Sequence, residues 1–285
     1  MAKPRFTRRY KLLLMAAGAS ALVLAGIVVG FVVLLSGVMT TAATKQHYTI
    51  THRILDLGLR YAVRTSSRDV IVPPLDDPRM IDQGLACYRR HCLACHGAPG
   101  LAQSEAGKGM LPIPSPLAQS AREWPAAWLY YVTKKGVRMT GMPAWEFRMS
   151  EESLWSTVAF LKTLPFLSER EYREMEAAVA DEECTPRMQL SGLPGRERGD
   201  LLLRQYACHS CHRIEGVVGP HAHVGPEIID WRSRKYIAGV IPNTFDNLTR
   251  WIIEPDALKP GTLMPDMGVP PAHAREMARF LLTPE

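Results

Sequence analysis

Two copies of one five-residue pattern constrain this chain more than any other feature: Cys92, Leu93, Ala94, Cys95, His96, and then Cys208, His209, Ser210, Cys211, His212. Thiols three residues apart share a face of a helical turn. The histidine that follows each pair is carried on the same turn. A zinc site, a redox dithiol and a disulfide are the plain alternatives for such a pair. Zinc needs a fourth ligand for each set, and no second Cys-x-x-Cys lies close to either one. A redox dithiol has no need of the trailing histidine, which both copies carry.

The spacing suits covalent attachment of haem c. Two thiols on one face reach the two vinyl groups of one porphyrin, and the adjacent imidazole turns under the iron. The chain is therefore expected to carry two covalently attached haem c groups. One is held by Cys92, Cys95 and His96, the other by Cys208, Cys211 and His212.

The segments around the motifs repeat as well. In the first copy, Pro78 opens a helical pattern with Ile81, Leu85 and Tyr88 on one face, and Gly84 leaves room for a second helix to cross closely. Pro125 starts a middle helix holding Trp128 and Tyr131, which closes at Lys134, Lys135 and Gly136. Ser150 caps a last helix with Leu154, Val158 and Leu161, ending before Pro165. In the second copy Gly199 precedes Leu202, Leu203 and Tyr206. A middle helix there holds Leu248, Trp251 and Ile252, and a last one Met277, Phe280 and Leu281. Without the two motifs these stripes would read as plain helical core.

Haem iron takes a second axial ligand. Gly141, Met142, Pro143 follows the first middle helix, and Leu263, Met264, Pro265 stands at the equivalent place in the second copy. Met142 and Met264 are assigned as the sixth ligands on that coincidence. Met is also a common core filler, and Met139, Met267 and Met110 are further candidates. His221 and His223 are the challengers for the second haem.

The N-terminus sets the compartment. Residues 12–44 contain no charge, and 12–35 are almost wholly apolar, long enough to cross a bilayer core as one helix. Lys3, Arg5, Arg8, Arg9 and Lys11 precede the run and supply five of the formal net charge of +6, so the rest of the chain is close to neutral. The bias is topological and gives no support to a nucleic-acid surface. It keeps the N-terminus in the cytoplasm and sends the chain from Lys45 onward across the membrane. A cleaved signal peptide competes, with Thr41, Ala42 and Ala43 as a weak cleavage site, but the run exceeds a typical signal core. The expected localisation is a single-pass protein of the bacterial inner membrane with its haem domains in the periplasm. Arg8 and Arg9 resemble a twin-arginine signal, a route discounted because this cofactor is attached outside.

Both halves resemble class I cytochrome c domains, across residues 77–164 and 199–282. The first carries that resemblance through Gly84, Tyr88, the haem motif and the Gly-Met-Pro loop. The second is similar to the cytochrome domain fused to subunit II of some haem-copper oxidases. That likeness rests on Arg234, Lys235, Tyr236, Ile237, Ala238, Gly239, then Pro242, Asn243 and Trp251, then Lys259, Pro260, Gly261. It implies that Arg234, Tyr236, Asn243 and Trp251 lie near the haem and its propionates; an ordinary surface pair is the alternative for Arg234 and Tyr236. The copper ligands and β-sandwich of subunit II are not evident.

The expected fold is all-α, a transmembrane helix followed by two tandem class I cytochrome c domains. Its parts are 1–44 for the N-terminus and anchor, 45–76 as a connector, 77–166 and 199–285 as the haem domains, and 167–198 as a second connector. Cys87 and Cys184 are left over from the motifs. They either form a disulfide, tying the first domain to the second connector in an oxidising compartment, or stay free, with Cys87 a core thiol.

A His and Met pair leaves no open position on iron, and thioether ligation raises the reduction potential, which suits outer-sphere electron transfer. The expected function is a di-haem electron carrier of a respiratory chain, not itself an enzyme. The resemblance points towards a terminal oxidase as acceptor, with a quinol-oxidising complex or a soluble cytochrome as donor. Two other readings stand beside it. One is a di-haem peroxidase with one open iron, which the two Met-Pro loops oppose. The other is a cytochrome subunit of a periplasmic dehydrogenase, which uses the same haem chemistry.

Overall fold

The uncharged run forms one helix, α1 (Arg8–Leu35), whose apolar side chains are exposed along its length. It is long and apolar enough to cross a bilayer, and a signal sequence near an N-terminus shares both properties. The structure, a computed structural model, describes residues 8–180, 182–184, 195–220, 222 and 224–283. It divides into two units, residues 1–55 and 56–285, each considered by itself. Helix α2 (Thr49–Ser66) follows α1. The last part of α2 and the residue after it are fastened within the larger unit: Val63 and Ser67 are buried, and Arg60 reaches Glu123 at 3.7 Å.

The larger unit is mostly helical and builds two cores. In the first, α3 (Pro78–His91) is capped by Asp77, whose carboxylate accepts from the Arg79 N–H. The short α4 (Leu93–His96) carries the first motif, and α5 (Glu105–Lys108), α6 (Leu117–Glu123) and α7 (Ala126–Lys135) follow. Helix α8 (Glu151–Thr163) starts at Ser150, whose hydroxyl accepts from the Ser153 N–H. Leu85, Tyr88, Leu154, Val158 and Phe160 are fully buried between α3 and α8. A Cβ on Gly84 would lie 1.9 Å from the Ser156 carbonyl oxygen, so only glycine lets the two helices cross so closely.

The core continues past residue 166. Helix α9 (Glu169–Ala178) begins with a capping box between Ser168 and Glu171 and adds Tyr172 and, just beyond its end, Val179 to the same apolar cluster. Cys184 then forms a disulfide with Cys87 of α3, which decides between the two readings of that pair. Arg89 donates to the carbonyls of Glu176 and Ala180, at 3.3 and 2.8 Å. Much of the segment expected as a connector thus packs onto the helix that leads to the first motif.

The second core repeats the arrangement with fewer elements. Helix α10 (Gly195–Gln205) crosses α13 (Pro271–Leu282), and a Cβ on Gly199 would meet the Phe280 Cβ at 2.3 Å, the counterpart of Gly84. Between them lie a two-residue antiparallel pair, β1 (Tyr236–Ile237) with β2 (Ile241–Pro242), then α11 (Phe245–Ile253) and α12 (Pro255–Leu258). Leu202, Ile237, Leu248, Met277 and Ala274 close this core.

Candidate functional site

Both Cys-x-x-Cys-His segments close the same turn. The N–H groups of Cys95 and His96 donate to the Cys92 carbonyl at 3.1 and 2.9 Å, and those of Cys211 and His212 to the Cys208 carbonyl at 3.3 and 3.0 Å. The approaches differ: Cys92 follows α3 directly, whereas Ala207 takes a left-handed φ of 55° to lead α10 into the turn at Cys208. All four motif thiols are free of disulfides.

Each imidazole is strapped to a loop beyond its motif. His96 Nδ1 lies 2.8 Å from the Ser115 carbonyl oxygen, and His212 Nδ1 lies 2.8 Å from that of Pro226. A carbonyl only accepts, so Nδ1 carries a hydrogen, and in the neutral ring Nε2 is then the nitrogen with the lone pair. That is the tautomer a metal-binding histidine needs. Burial lowers the pKa of His96, which favours the neutral ring. At the second site a Cβ on Gly225 would lie 2.3 Å from the His212 ring, so glycine lets the strap pass against the imidazole.

The two methionine loops also share a construction. The Thr140 N–H donates to the Val137 carbonyl at 3.3 Å and the Thr262 N–H to that of Lys259 at 3.1 Å. The Met142 N–H then donates to the Thr140 hydroxyl at 3.1 Å, and the Met264 N–H to the Thr262 hydroxyl at 3.3 Å. Met142 and Met264 are both partly buried, whereas Met139 is 92 % exposed and Met267 41 %. Met110 packs against the first loop, with its sulfur 3.1 Å from where a Cβ on Gly141 would stand. His221 and His223 lie outside the described residues.

Of the four residues expected at the haem edge of the second domain, two come together. The Asn243 amide donates to the carbonyls of Trp231 and Arg234 at 2.9 and 3.1 Å. The Arg234 guanidinium donates to the Glu227 carbonyl and lies 4.9 Å from the centre of the Trp231 ring. Tyr236 is exposed on β1, and Trp251 is buried in α11 within the core. Trp231, which sequence reasoning passed over, holds a buried indole N–H with no acceptor among the described residues. Buried donors are rarely left unpaired, so this one marks where an acceptor belongs.

Sequence reasoning also missed the straps and the threonines. Thr-x-Met-Pro recurs in both halves at the same offset and was readable as a longer motif than Met-Pro. The carbonyls of Ser115 and Pro226 bear no side-chain signature. Among the described residues no group of three or more His, Cys, Asp or Glu converges as a metal-ion site.

Residues 79–161 match the family described as cytochrome c oxidase, cbb3-type, subunit III, a cytochrome c domain that implies covalently bound haem c and electron transfer. Over 68 residues the chain is 35 % identical to cytochrome c oxidase subunit 2 of Alkalihalophilus pseudofirmus, covering 24 % of this chain and 19 % of that protein. The chain thus spans about a fifth of the length of the curated relative it matches. A solved reducing HAO-like protein complex of Kuenenia stuttgartiensis aligns with 74 % of this chain and 98 % of its own at 22 % identity, with a TM-score of 0.29.

Proposed function

We propose that this chain is a membrane-anchored, di-haem c-type cytochrome that relays single electrons outside the cytoplasmic membrane. In this reading Cys92, Cys95 and His96 hold one haem and Cys208, Cys211 and His212 the other, with Met142 and Met264 as the opposite ligands. One observation carries it: the same turn is built twice, each time with an imidazole whose Nδ1 is tied to a backbone carbonyl, which leaves Nε2 as the nitrogen for a metal. When bound, haem c supplies reversible one-electron iron chemistry.

The chain's own residues set the terms of that chemistry. Burial pushes the Cys92 thiol up to about 12 and the Cys208 thiol up to about 11, so both are S–H groups at neutral pH. The two thiols of each motif would hold the haem through thioether bonds, each S–H adding across one vinyl group with no change in electron count. The Ser115 and Pro226 straps then hold each ring's orientation and tautomer. Threonine-bonded loops would present Met142 and Met264 as the thioether ligands, leaving no position open to exogenous ligands. In the second domain the Trp231 N–H and the Arg234 guanidinium suit haem propionates.

Helix α1 supplies the anchor, with the cationic N-terminus in the cytoplasm and both haem domains in the periplasm. The similarity of parts of the chain to two oxidase subunits supports a terminal oxidase as acceptor, fed by a quinol-oxidising complex or a soluble cytochrome.

Visible spectra of the purified protein in both redox states, with haem quantified against protein, test the proposal. Two covalent low-spin haems per chain, with the weak far-red band of methionine ligation when oxidised, are expected. One haem, a high-spin signal or peroxide turnover would overturn it.

A further inference from the structure

We infer that Arg148 is a positioning residue that fixes the two haem-attachment turns relative to each other and completes a bonded path between them; this rests on the di-haem reading. Arg148 follows the Met142 loop and belongs to the first core's side of the chain, yet its guanidinium closes on the second. Its Nη2 donates to the Gln205 carbonyl at 2.6 Å, and its Nη1 to Gln205 Oε1 at 3.3 Å. The same Nη1 also reaches the Ala144 carbonyl at 3.4 Å, two residues beyond Met142. Gln205 is the last residue of α10, three before Cys208.

The contact has a clear electrostatic logic. The last carbonyls of a helix lack intrahelical donors and carry the negative end of its dipole, so a cation with a planar fork of N–H groups suits them. The guanidinium also stands 5.9 Å from the centre of the Tyr206 ring, adding a cation–π contact on the residue two before Cys208. Tyr206 is in turn held by its hydroxyl, 2.9 Å from Nδ1 of the buried His273 in α13. Arg148 therefore grips a part of the second domain that is itself fixed to that domain's core.

At its other end the residue is equally well rooted. The Arg148 N–H donates to the Trp145 carbonyl at 2.9 Å. The Trp145 ring packs on His91 with centroids 4.7 Å apart, and His91 is bonded to Cys92. The route thus runs from Cys92 through His91, Trp145, Arg148 and Gln205 to Cys208, with one ring contact and two hydrogen bonds as its only through-space steps. It joins the first thioether position of one haem to that of the other. With a haem held at each turn, these residues would offer a route for a single electron between the two attachment turns, with no bond made or broken and no proton moved.

The test uses the full-length, haem-loaded chain in detergent or nanodiscs, as wild type, Arg148→Gln, Arg148→Lys and Gln205→Ala. Haem per chain, both midpoint potentials, the inter-haem rate after flash photoreduction, and the spread of interdomain distances by small-angle scattering are measured. For Arg148→Gln the expected result is two haems and unchanged spectra, with an inter-haem rate lower by about tenfold or more and a wider distance spread. Arg148→Lys recovers only part of the rate because it keeps the charge and loses the fork. Gln205→Ala, which leaves the backbone carbonyl in place, gives a smaller loss and keeps the test available if Arg148→Gln fails to fold. An unchanged rate and an unchanged distance spread in all three variants would overturn the inference. A single haem in the wild type would remove the di-haem reading and the path with it, while the scattering result still reads the clamp alone.

Discussion

His212 Nδ1 stands 2.8 Å from the carbonyl oxygen of Pro226, and the loop that supplies this carbonyl passes so close that Gly225 has no room for a side chain. The His212 imidazole is oriented by backbone fourteen residues away. Gly225→Val should push the strap off the ring. The expected outcome is a chain that keeps its second haem covalently but shows altered ligand-field bands and a shifted potential for that haem alone. Electronic and magnetic circular dichroism spectra of the variant check it.

Met142→Ala and Met264→Ala should each lower the potential of one haem while covalent haem stays at the wild-type level. The shift is a sizeable part of the roughly 0.8 V range that axial ligands command. Met110→Leu is the control, because its sulfur packs against Gly141 and is expected to leave both potentials in place. Redox titrations of the three variants decide the assignment, and a shift in Met110→Leu with none in Met142→Ala would reverse it.

Gly84→Ala places a methyl 1.9 Å from the Ser156 carbonyl oxygen at the crossing of α3 and α8. Backbone, unlike a flexible side chain, has little room to yield there. A loss of about 2 kcal/mol or more is expected, at the upper end of what overpacking costs. Denaturant unfolding followed by far-UV circular dichroism measures it, and Gly199→Ala should act likewise where α10 crosses α13.

The Cys87–Cys184 disulfide joins residues 97 apart and holds the chain beyond α9 against α3. Cys184→Ser is expected to destabilise the first domain by roughly 3–5 kcal/mol. Adding a reductant to the wild type should reproduce that loss and leave the variant unaffected, as thermal melts with and without reductant will show.

Burial, with Arg90 and Arg148 adding to it, holds His91 at a pKa of about 4, below its ordinary value of 6.5. A folded pKa below the unfolded one means that the unfolded chain binds more protons between these values. The contribution of His91 to stability is therefore complete above pH 6.5 and is lost as the pH falls towards 4. His91→Gln cannot take up that proton. Its stability should fall less steeply than that of the wild type across this window in unfolding curves taken at successive pH values.

The division between sequence and tertiary structure follows the range of the forces involved. Local chemistry was written in the chain: thiols three apart with a following histidine, Pro78 and Ser150 at helix starts, Gly84 at a crossing, and an uncharged run of membrane length. These depend on spacing within one or two turns, and spacing is visible in a sequence. The straps on His96 and His212 were not legible, because the acceptors at Ser115 and Pro226 are backbone carbonyls that every residue possesses. Nor was the Arg148 clamp, since an arginine matched to a helix end rather than to a carboxylate leaves no complementary charge to find. The pairing of Cys87 with Cys184 and the burial of Tyr172 came from packing between segments far apart in the chain. Only the folded backbone decides which carbonyl, helix end or thiol stands within reach, because hydrogen bonds and close packing act over a few ångströms of space, whatever the distance along the sequence.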